Sequence, residues 1–200
     1  MDLNYYHMYN WTNDVPLNTK NIFENIIKQI KNKHSKILEI GTFTGTSLIN
    51  ILNRLPESYT AIAIDNFSLS DVGKTDSIDL KSIKNIFYDN INKANLRSRI
   101  SLIDEDSTIV MSDMIRNNIK FDFIYIDGSH KCLDVMCDII QAWELLDVGG
   151  ILALDDVQWQ PESYTDFDIP IKAIQLFANK YYNRFKVLDN GYRLFVEKIK

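Results

Sequence analysis

Short runs of aliphatic and β-branched residues alternate along the chain with longer stretches whose apolar positions recur at helical spacing. The short runs predict buried strands, and the longer stretches predict amphipathic helices. Their alternation predicts a parallel sheet whose strands are joined by crossover helices. The predicted strands are Ile37–Ile40, Tyr59–Ile64, Ile100–Ile103, Phe121–Ile126 and Ile151–Leu154.

The same helical spacing predicts the elements between the strands. The predicted helix over residues 131–146 is expected to stop at Gly149 and Gly150. Residues 66–76 are expected to form a loop. Helices are predicted over residues 18–34, Ser47–Leu55, Ile78–Ala94, Ser107–Asn117 and 131–146.

The C-terminal part of the chain has a different pattern. Asn190 and Gly191 form a dipeptide typical of tight hairpins, and the apolar runs Phe185–Leu188 and Tyr192–Val196 flank it. The predicted fold is therefore α/β and Rossmann-like, a seven-stranded, mostly parallel sheet with a C-terminal antiparallel hairpin and helices on both faces. Residues 1–200 are expected to form a single domain, with residues 1–17 as its N-terminal segment.

Composition narrows the class of protein. The chain has 200 residues, 46% hydrophobic and 24% charged, which suffices for one packed core. Its formal net charge of −5 argues against a nucleic-acid partner. Cys132 and Cys137 lie on different parts of one predicted helix, so we expect two free thiols in a reducing compartment. Because no signal-peptide pattern or bilayer-length apolar run is present, we expect a cytoplasmic protein without a membrane partner.

The turn after the first predicted strand is the candidate ligand-binding loop. Ligands of open α/β sheets lie beyond the carboxyl ends of the strands, and Gly41 and Gly45 let the backbone approach a ligand there. Hydroxyl and N–H donors near the start of the next helix suit a carboxylate such as that of methionine. These donors belong to Thr42, Thr44, Thr46 and Ser47.

A dinucleotide is the rival ligand for this loop. Its fingerprint is G-x-G-x-x-G, and Phe43 stands where the middle glycine should be, so the approach of a pyrophosphate is obstructed. Glu39, inside the strand, suits a bond to a ligand ammonium or to the loop amides. A tight turn around a buried, hydrogen-bonded Glu explains the pattern equally well. Asp65, at the end of the second strand, can accept both ribose hydroxyls of either cofactor.

The pattern Glu39-x-Gly41-x-x-x-Gly45 resembles motif I of class I S-adenosylmethionine-dependent methyltransferases. Five parallel strands followed by a hairpin are also similar to the sheet of this family, and the likeness spans Ile37–Val157 and the hairpin. The resemblance implies S-adenosylmethionine as the cofactor, with Asp106 at its adenine. It implies cofactor contacts from Glu39, Gly41, Thr42, Gly45, Thr46, Ser47, Asp65, Asn66, Asp106, Ser107 and Asp127.

Two later motifs resemble a metal-dependent subgroup of that family, which includes catechol-type O-methyltransferases and the sugar O-methyltransferases of macrolide and cephamycin pathways. They are the IDGSH motif that ends at His130 and the LDD motif that ends at Asp156. The resemblance implies that Asp127, Asp155 and Asp156 bind Mg²⁺. It also implies that His130 is the general base, with a catalytic role for Asp127. The catechol type usually has Asp-Asn at the last pair, so Asp156 is a departure toward the sugar and antibiotic enzymes.

Elementary electrostatics is consistent with a cation at these acids. Neighbouring strands lie about 4.8 Å apart, so the carboxyl ends of the fourth and fifth strands bring three carboxylates together. Such a cluster is costly unless a cation neutralises it, and a hard divalent ion with open positions could hold a substrate diol. Simpler explanations stay open. Asp127 and His130 could be turn and N-cap residues, Asp127 could be a pocket acid without metal, and Asp155 and Asp156 could form a loop in which Asp156 is solvated.

Aromatic residues are the candidates for the substrate side. Trp159 and Tyr164 follow the last pair of acids and are placed to line an acceptor pocket, whereas Trp143 is expected to serve packing. Acids within residues 157–169 disfavour a strongly anionic acceptor. The N-terminal segment could cover the site, pack on the sheet or contact another subunit, and its aromatic residues are Tyr5, Tyr6, Tyr9 and Trp11.

The sequence thus predicts an S-adenosylmethionine-dependent methyltransferase that O-methylates a small hydroxylated acceptor, such as a sugar, with the help of a divalent metal. One alternative is a metal-independent methyltransferase that acts on nitrogen or on a macromolecule. Another is a non-catalytic module that only binds S-adenosylmethionine. A homodimer is possible, and the sequence does not identify the acceptor.

Overall fold

A computed structural model describes residues 27–30, 36–68, 80–160, 165 and 168–200. Within these residues the backbone forms one seven-stranded sheet, in the order β3-β2-β1-β4-β5-β7-β6. The strands are β1 (Lys36–Ile40), β2 (Thr60–Ile64), β3 (Ile100–Ile103), β4 (Phe121–Ile126), β5 (Leu146–Leu154), β6 (Phe185–Asn190) and β7 (Leu194–Lys198).

Five helices accompany the strands in the described residues, and residues 27–30 are helical as well. No helix in this part of the chain is long and apolar enough to cross a membrane. The helices are α1 (Thr46–Leu52), α2 (Leu80–Lys93), α3 (Ser107–Arg116), α4 (Cys132–Leu145) and α5 (Pro170–Tyr181).

The sheet has the predicted Rossmann-like topology. Strands β1 to β5 run parallel, β7 pairs antiparallel with β5, and β6 pairs antiparallel with β7. The two halves of the sheet meet between β1 and β4, where the order of the strands reverses. In parallel sheets such a switch point opens a crevice beyond the carboxyl ends of the two strands. The fold therefore places the candidate ligand site where β1 and β4 end.

Apolar side chains fill both faces of the sheet, because successive strand residues point to opposite sides. On one face Leu38 belongs to the layer that contains Trp143 and Phe177, whose ring centroids lie 5.2 Å apart. On the other face Ile37 belongs to the layer that contains Phe87. Helices therefore lie on both faces of the sheet, as predicted: α3, α4 and α5 cover one face, and α1 and α2 cover the other. Trp143 is buried, which confirms its packing role.

The end of α4 agrees with its prediction to within one residue, but the start of β5 was predicted wrongly. Helix α4 ends at Leu145, and β5 begins at once with Leu146, so Gly149 and Gly150 lie inside a strand instead of ending a helix. The Lys198 Nζ group donates to the carbonyl oxygens of Trp143 (2.7 Å) and Leu146 (2.8 Å). The Lys198 side chain, from strand β7, thus binds carbonyl groups at the end of α4 that have no partner within the helix.

The C-terminal half also differs from the prediction in two places. Helix α5 was not predicted; it begins with Pro170, a residue favoured in the first turn of a helix, and buries Phe177. The hairpin is confirmed, but its turn lies at residues 191–193, because β6 continues through Asn190 and its register shifts between Val187 and Asp189. Both cysteines are free, as predicted.

Candidate active site

The loop between β1 and α1 is built on two glycines with left-handed backbone. Gly41 has φ 81° and Gly45 has φ 80°, a region that favours glycine. A Cβ atom on Gly41 would lie 2.0 Å from the carbonyl oxygen of Asp127, and one on Gly45 would lie 2.9 Å from the ring of Phe87. Glycine at position 41 therefore lets the loop after β1 touch the backbone that follows β4.

The side chain of Glu39, in β1, forms hydrogen bonds with residues of this loop and of α1. Its carboxyl group is fully buried and accepts hydrogen bonds from the hydroxyls of Thr42 (2.5 Å) and Ser47. Burial raises the pKa of Glu39 to about 7, although both hydroxyls oppose that shift. The side chains of Thr42 and Ser47, predicted as cofactor donors, thus hold the loop in shape. This is the arrangement expected for a tight turn around a buried Glu, and direct cofactor contacts remain a prediction.

Asp65 lies directly after β2, next to the same loop. Its carboxylate accepts from the backbone N–H groups of Phe43 and Phe67, both at 2.7 Å. Desolvation by burial raises the pKa of Asp65 in spite of these bonds. Phe43 itself has φ 48°, so the bond to Asp65 accompanies a rare backbone conformation. Asn66 is exposed and accepts from the N–H of Ser68 at 3.0 Å.

Asp106 and Ser107 begin α3 after the third strand. Asp106 is exposed and is the N-cap of the helix, accepting from the N–H of Thr108 at 2.9 Å. The Ser107 hydroxyl donates to Asp138 of α4 at 2.6 Å, and burial raises the pKa of Asp138 to about 7. The two residues therefore have structural partners, and their contact with an adenine stays a prediction.

Three aspartates meet at the carboxyl ends of β4 and β5. The N–H of Asp127 donates to the carbonyl of Ile40 (2.9 Å), and the N–H of Asp155 donates to that of Ile126 (3.0 Å), so both residues continue the sheet. Burial, and then the charges of Asp155 and Asp156, raise the pKa of Asp127 well above its ordinary value. The acids line a small, partly enclosed pocket together with Ile126, Gly128, Ser129, Val135, Leu154 and Pro170.

Asp155 has a buried cation as its partner. Arg193 Nε donates to Asp155 Oδ2 (2.9 Å) and to the Tyr125 hydroxyl oxygen (3.0 Å), and that hydroxyl donates to the same carboxylate oxygen. Arg193 is 6% exposed and Asp155 is 8% exposed. Burial raises the pKa of Asp155, and the guanidinium partly offsets that effect.

Asp156 holds His130. The imidazole Nε2 lies 2.7 Å from Asp156 Oδ2, and the ring stacks on Trp159 with centroids 4.4 Å apart. The Tyr192 hydroxyl donates to Asp156 Oδ1 at 3.0 Å. Burial raises the pKa of Asp156, but the hydrogen bonds from His130 and Tyr192 outweigh it and the net pKa is low. Asp156 is therefore not the solvated loop residue of the simpler explanation.

His130 is not a helix cap either. The N-cap of α4 is Lys131, whose side chain makes no capping hydrogen bond. The histidine precedes the helix and points to the acids, where its side chain is 19% exposed. Its Nε2 lies against Asp156, and the role of His130 as a base stays a prediction.

The three carboxylates suit a hard divalent cation by their chemistry, since Mg²⁺ prefers oxygen ligands. As the side chains lie, the described residues contain no group of three or more His, Cys, Asp or Glu arranged to hold a metal ion. Asp155 turns to Arg193, and Asp156 turns to His130 and Tyr192. The three carboxylates have the chemistry that Mg²⁺ prefers. The side chains of Asp155 and Asp156 would have to rotate before all three could bind one ion.

Three residues at the acids, Tyr125, Tyr192 and Arg193, were not predicted from the sequence. Tyr192 and Arg193 directly follow the Asn-Gly turn, and β7 returns beside β5 with Leu194 opposite Leu154. The Asn-Gly turn can be recognised in the sequence, but the strand with which the hairpin pairs cannot. Among the other predicted residues, Trp159 lies at the site, whereas Tyr164 and the aromatic residues of the N-terminal segment lie outside the described residues.

Comparisons with known proteins agree with this architecture. A family model described as a methyltransferase domain matches residues 38–157. A caffeoyl-CoA O-methyltransferase of Stellaria longipes is 30% identical over 138 residues, 67% of this chain and 50% of that protein. One from Populus kitakamiensis is 28% identical over 147 residues, 72% of this chain and 55% of that protein. The chain thus spans about half the length of these relatives.

Solved structures share the fold at lower identity. An O-methyltransferase from Bacillus cereus, in complex with S-adenosylhomocysteine, has a TM-score of 0.66 and 21% identity, over 92% of this chain and 83% of that chain. A methyltransferase from the mycinamycin biosynthetic pathway, in complex with Mg and S-adenosylhomocysteine, has a TM-score of 0.61 and 16% identity, over 89% of this chain and 48% of that chain. Because the family model covers more than half of the chain, this protein belongs to the methyltransferase-domain family, as its motifs predicted.

Proposed function

We propose that the chain transfers a methyl group from S-adenosylmethionine to a hydroxyl of a small acceptor, such as a sugar, with a divalent metal at Asp127, Asp155 and Asp156. The observation that carries this proposal is the contact of Gly41 with the Asp127 backbone, which joins the candidate donor loop and the acids in one crevice. The O-methyltransferase names of the curated relatives support the same reaction. We expect a reducing, cytoplasmic location from the two free thiols.

Different residues near the loop after β1 would bind different parts of S-adenosylmethionine. S-adenosylmethionine would supply an activated methyl group on a sulfonium sulfur, and Mg²⁺ would supply a Lewis acid that lowers the pKa of a bound hydroxyl. The loop from Gly41 to Ser47 would hold the methionine part through its backbone N–H groups. Asp65 would accept from the ribose hydroxyls, exchanging its bonds to the Phe43 and Phe67 amides for them.

His130 is the proposed base for the acceptor hydroxyl. In that role the imidazole would take the proton of the acceptor hydroxyl, while S-adenosylmethionine would supply the methyl group and leave as S-adenosylhomocysteine. Asp156 lies 2.7 Å from that ring and would stabilise the imidazolium that forms. Trp159 would fix the ring by stacking on it and line the acceptor side of the cleft.

The test is methyl transfer from labelled S-adenosylmethionine to a panel of catechols and sugar diols, with Mg²⁺ or with EDTA. Transfer to hydroxyl oxygen that needs Mg²⁺ supports the whole proposal. Transfer only to amines, or to no acceptor while S-adenosylhomocysteine binds, contradicts the O-methyltransferase role.

A metal-independent methyltransferase is the second candidate, and the Arg193–Asp155 ion pair favours it. A guanidinium beside Asp155 already neutralises one of the three charges. Methyl transfer that EDTA leaves unchanged, and that survives the double change Asp155→Asn and Asp156→Asn, would support this candidate.

A further inference from the structure

A permanent cation is built into the acid cluster. Arg193 is buried, and its Nε–H is shared between Asp155 Oδ2 (2.9 Å) and the Tyr125 hydroxyl oxygen (3.0 Å). A guanidinium stays charged at every physiological pH. The cluster therefore contains three carboxylates and one fixed positive charge.

The hairpin delivers this charge to a defined position. Strand β7 lies antiparallel to β5 with Leu194 opposite Leu154, so Arg193, just before β7, comes next to Asp155, just after β5. The N–H of Val157 donates to the carbonyl of Tyr192 (3.3 Å), which ties the hairpin turn to the chain that carries the acids. The Arg193 charge opposes the rise in the pKa of Asp127 and of Asp155 and helps to lower that of Asp156, so its field reaches all three.

The same bonds occupy the oxygens that a metal would need. Asp155 Oδ2 accepts from Arg193 and from the Tyr125 hydroxyl, and Asp155 Oδ1 accepts from the N–H of Asp156 at 2.8 Å. These donors occupy three of the roughly four acceptor positions of the carboxylate, so a divalent ion bound by Asp155 must use the remaining position on Oδ1 or displace a donor. It must also lie near the guanidinium, which repels it, in a site where burial weakens screening.

We propose that Arg193 is the fixed counter-cation of this cluster and competes with a divalent metal for Asp155, which weakens metal binding. The inference rests on the proposed metal role of the three acids. It makes Arg193 a positioning residue that acts through Asp155. A purely structural Arg193 would change the stability of the fold but leave the affinity for metal unchanged.

Calorimetric titration of the full chain with Mg²⁺ tests the inference. In Arg193→Gln the charge is removed but an amide donor remains, and we expect Mg²⁺ to bind about tenfold more tightly or better, a difference of about 1.4 kcal/mol. Arg193→Lys keeps the charge and should bind Mg²⁺ about as weakly as the wild type. Arg99→Gln is the matched control, because Arg99 binds the carbonyls of Tyr59 and Pro56 away from the acids. In the Arg193→Gln background, Asp155→Asn should abolish the gain.

Equal or weaker Mg²⁺ binding by folded Arg193→Gln overturns the inference and leaves the metal site possible. Binding by Arg193→Gln but not by the wild type supports the inference and contradicts the metal role in the natural chain. Binding by neither contradicts both. Circular dichroism checks the fold, and Arg193→Met is a second neutral variant. If both neutral variants unfold, recovery of their fold by Mg²⁺ supports the inference, and no recovery overturns it.

Discussion

At the scale of single residues, the backbone of Gly41 makes the site possible. Its N–H donates to the carbonyl of Ile64 at 2.9 Å, and its α-carbon faces the backbone of Asp127. One residue thus links the ends of β2, β1 and β4. A side chain at this position would push the loop away from the acids, whether or not a ligand is bound.

Gly41→Ala should destabilise the fold by about 3 kcal/mol or more, because it combines a left-handed backbone with a Cβ atom 2.0 Å from a carbonyl oxygen. Urea unfolding measures the change. Gly191→Ala is the control, since its Cβ would meet only Asp189 Oδ2 at 3.5 Å, an ordinary contact. Similar losses in the two variants would contradict the role assigned to Gly41.

His130 is the residue on which the proposed chemistry depends most. His130→Gln should lower kcat for methyl transfer by about a hundredfold, because a positioned base contributes about that factor or more. The affinity for S-adenosylhomocysteine should stay unchanged, since the imidazole contacts Asp156 and Trp159 on the acid side of the cleft. Parallel loss of affinity and rate would instead indicate a structural role.

At the scale of elements, a buried acid couples two neighbouring helices. Asp138 of α4 is 3% exposed and accepts from the hydroxyl of Ser107 at the start of α3. Its folded-state pKa of about 7 lies above its ordinary value of 3.8. Between these values the folded protein keeps a proton that the unfolded chain releases, so this group makes the free energy of unfolding fall as pH rises.

Asp138→Asn should therefore gain stability relative to the wild type as pH rises from 4 to 7, by about 1.4 kcal/mol for each unit of pKa displacement. Thermal unfolding across this pH range measures the difference. Asp113→Asn, an exposed position on α3, is the control and should show little change. A gain that shrinks as pH rises would have the wrong sign and would contradict the account.

Element predictions held where the apolar pattern alone decided the outcome. The five parallel strands and helices α1 to α4 follow the predicted order because their buried faces repeat along the chain. The errors occurred where distant contacts decided. Strand β5 begins at Leu146, whose carbonyl accepts from Lys198, and α5 packs Phe177 against Trp143. A local window of the sequence contains neither contact.

At the scale of the whole molecule, ligand binding should stabilise the fold, because the proposed donor site is assembled only when β1, β2 and β4 are in register. S-adenosylhomocysteine at 100 times its Kd should raise the free energy of unfolding by about 2.7 kcal/mol. NAD at the same concentration should have no effect, since Phe43 stands where the dinucleotide loop needs glycine. Thermal unfolding with each ligand measures both.

Asp65→Asn supplies the variant for that measurement. It should lose most of the stabilisation by S-adenosylhomocysteine, because an amide cannot accept from both ribose hydroxyls as a carboxylate does. Asp113→Asn is again the control and should keep the full shift. Full stabilisation of Asp65→Asn would contradict the ribose role.

The sequence by itself determined the alternation of strands and helices, the loop from Glu39 to Gly45 and the acids after β4 and β5, because each depends on neighbours along the chain. Only the tertiary structure decided what surrounds the acids. Strand pairing brings Tyr192 and Arg193 to Asp156 and Asp155 from residues far along the chain. Charge balance depends on distance in space, so a cation from a distant hairpin cannot be read from the motif that it neutralises.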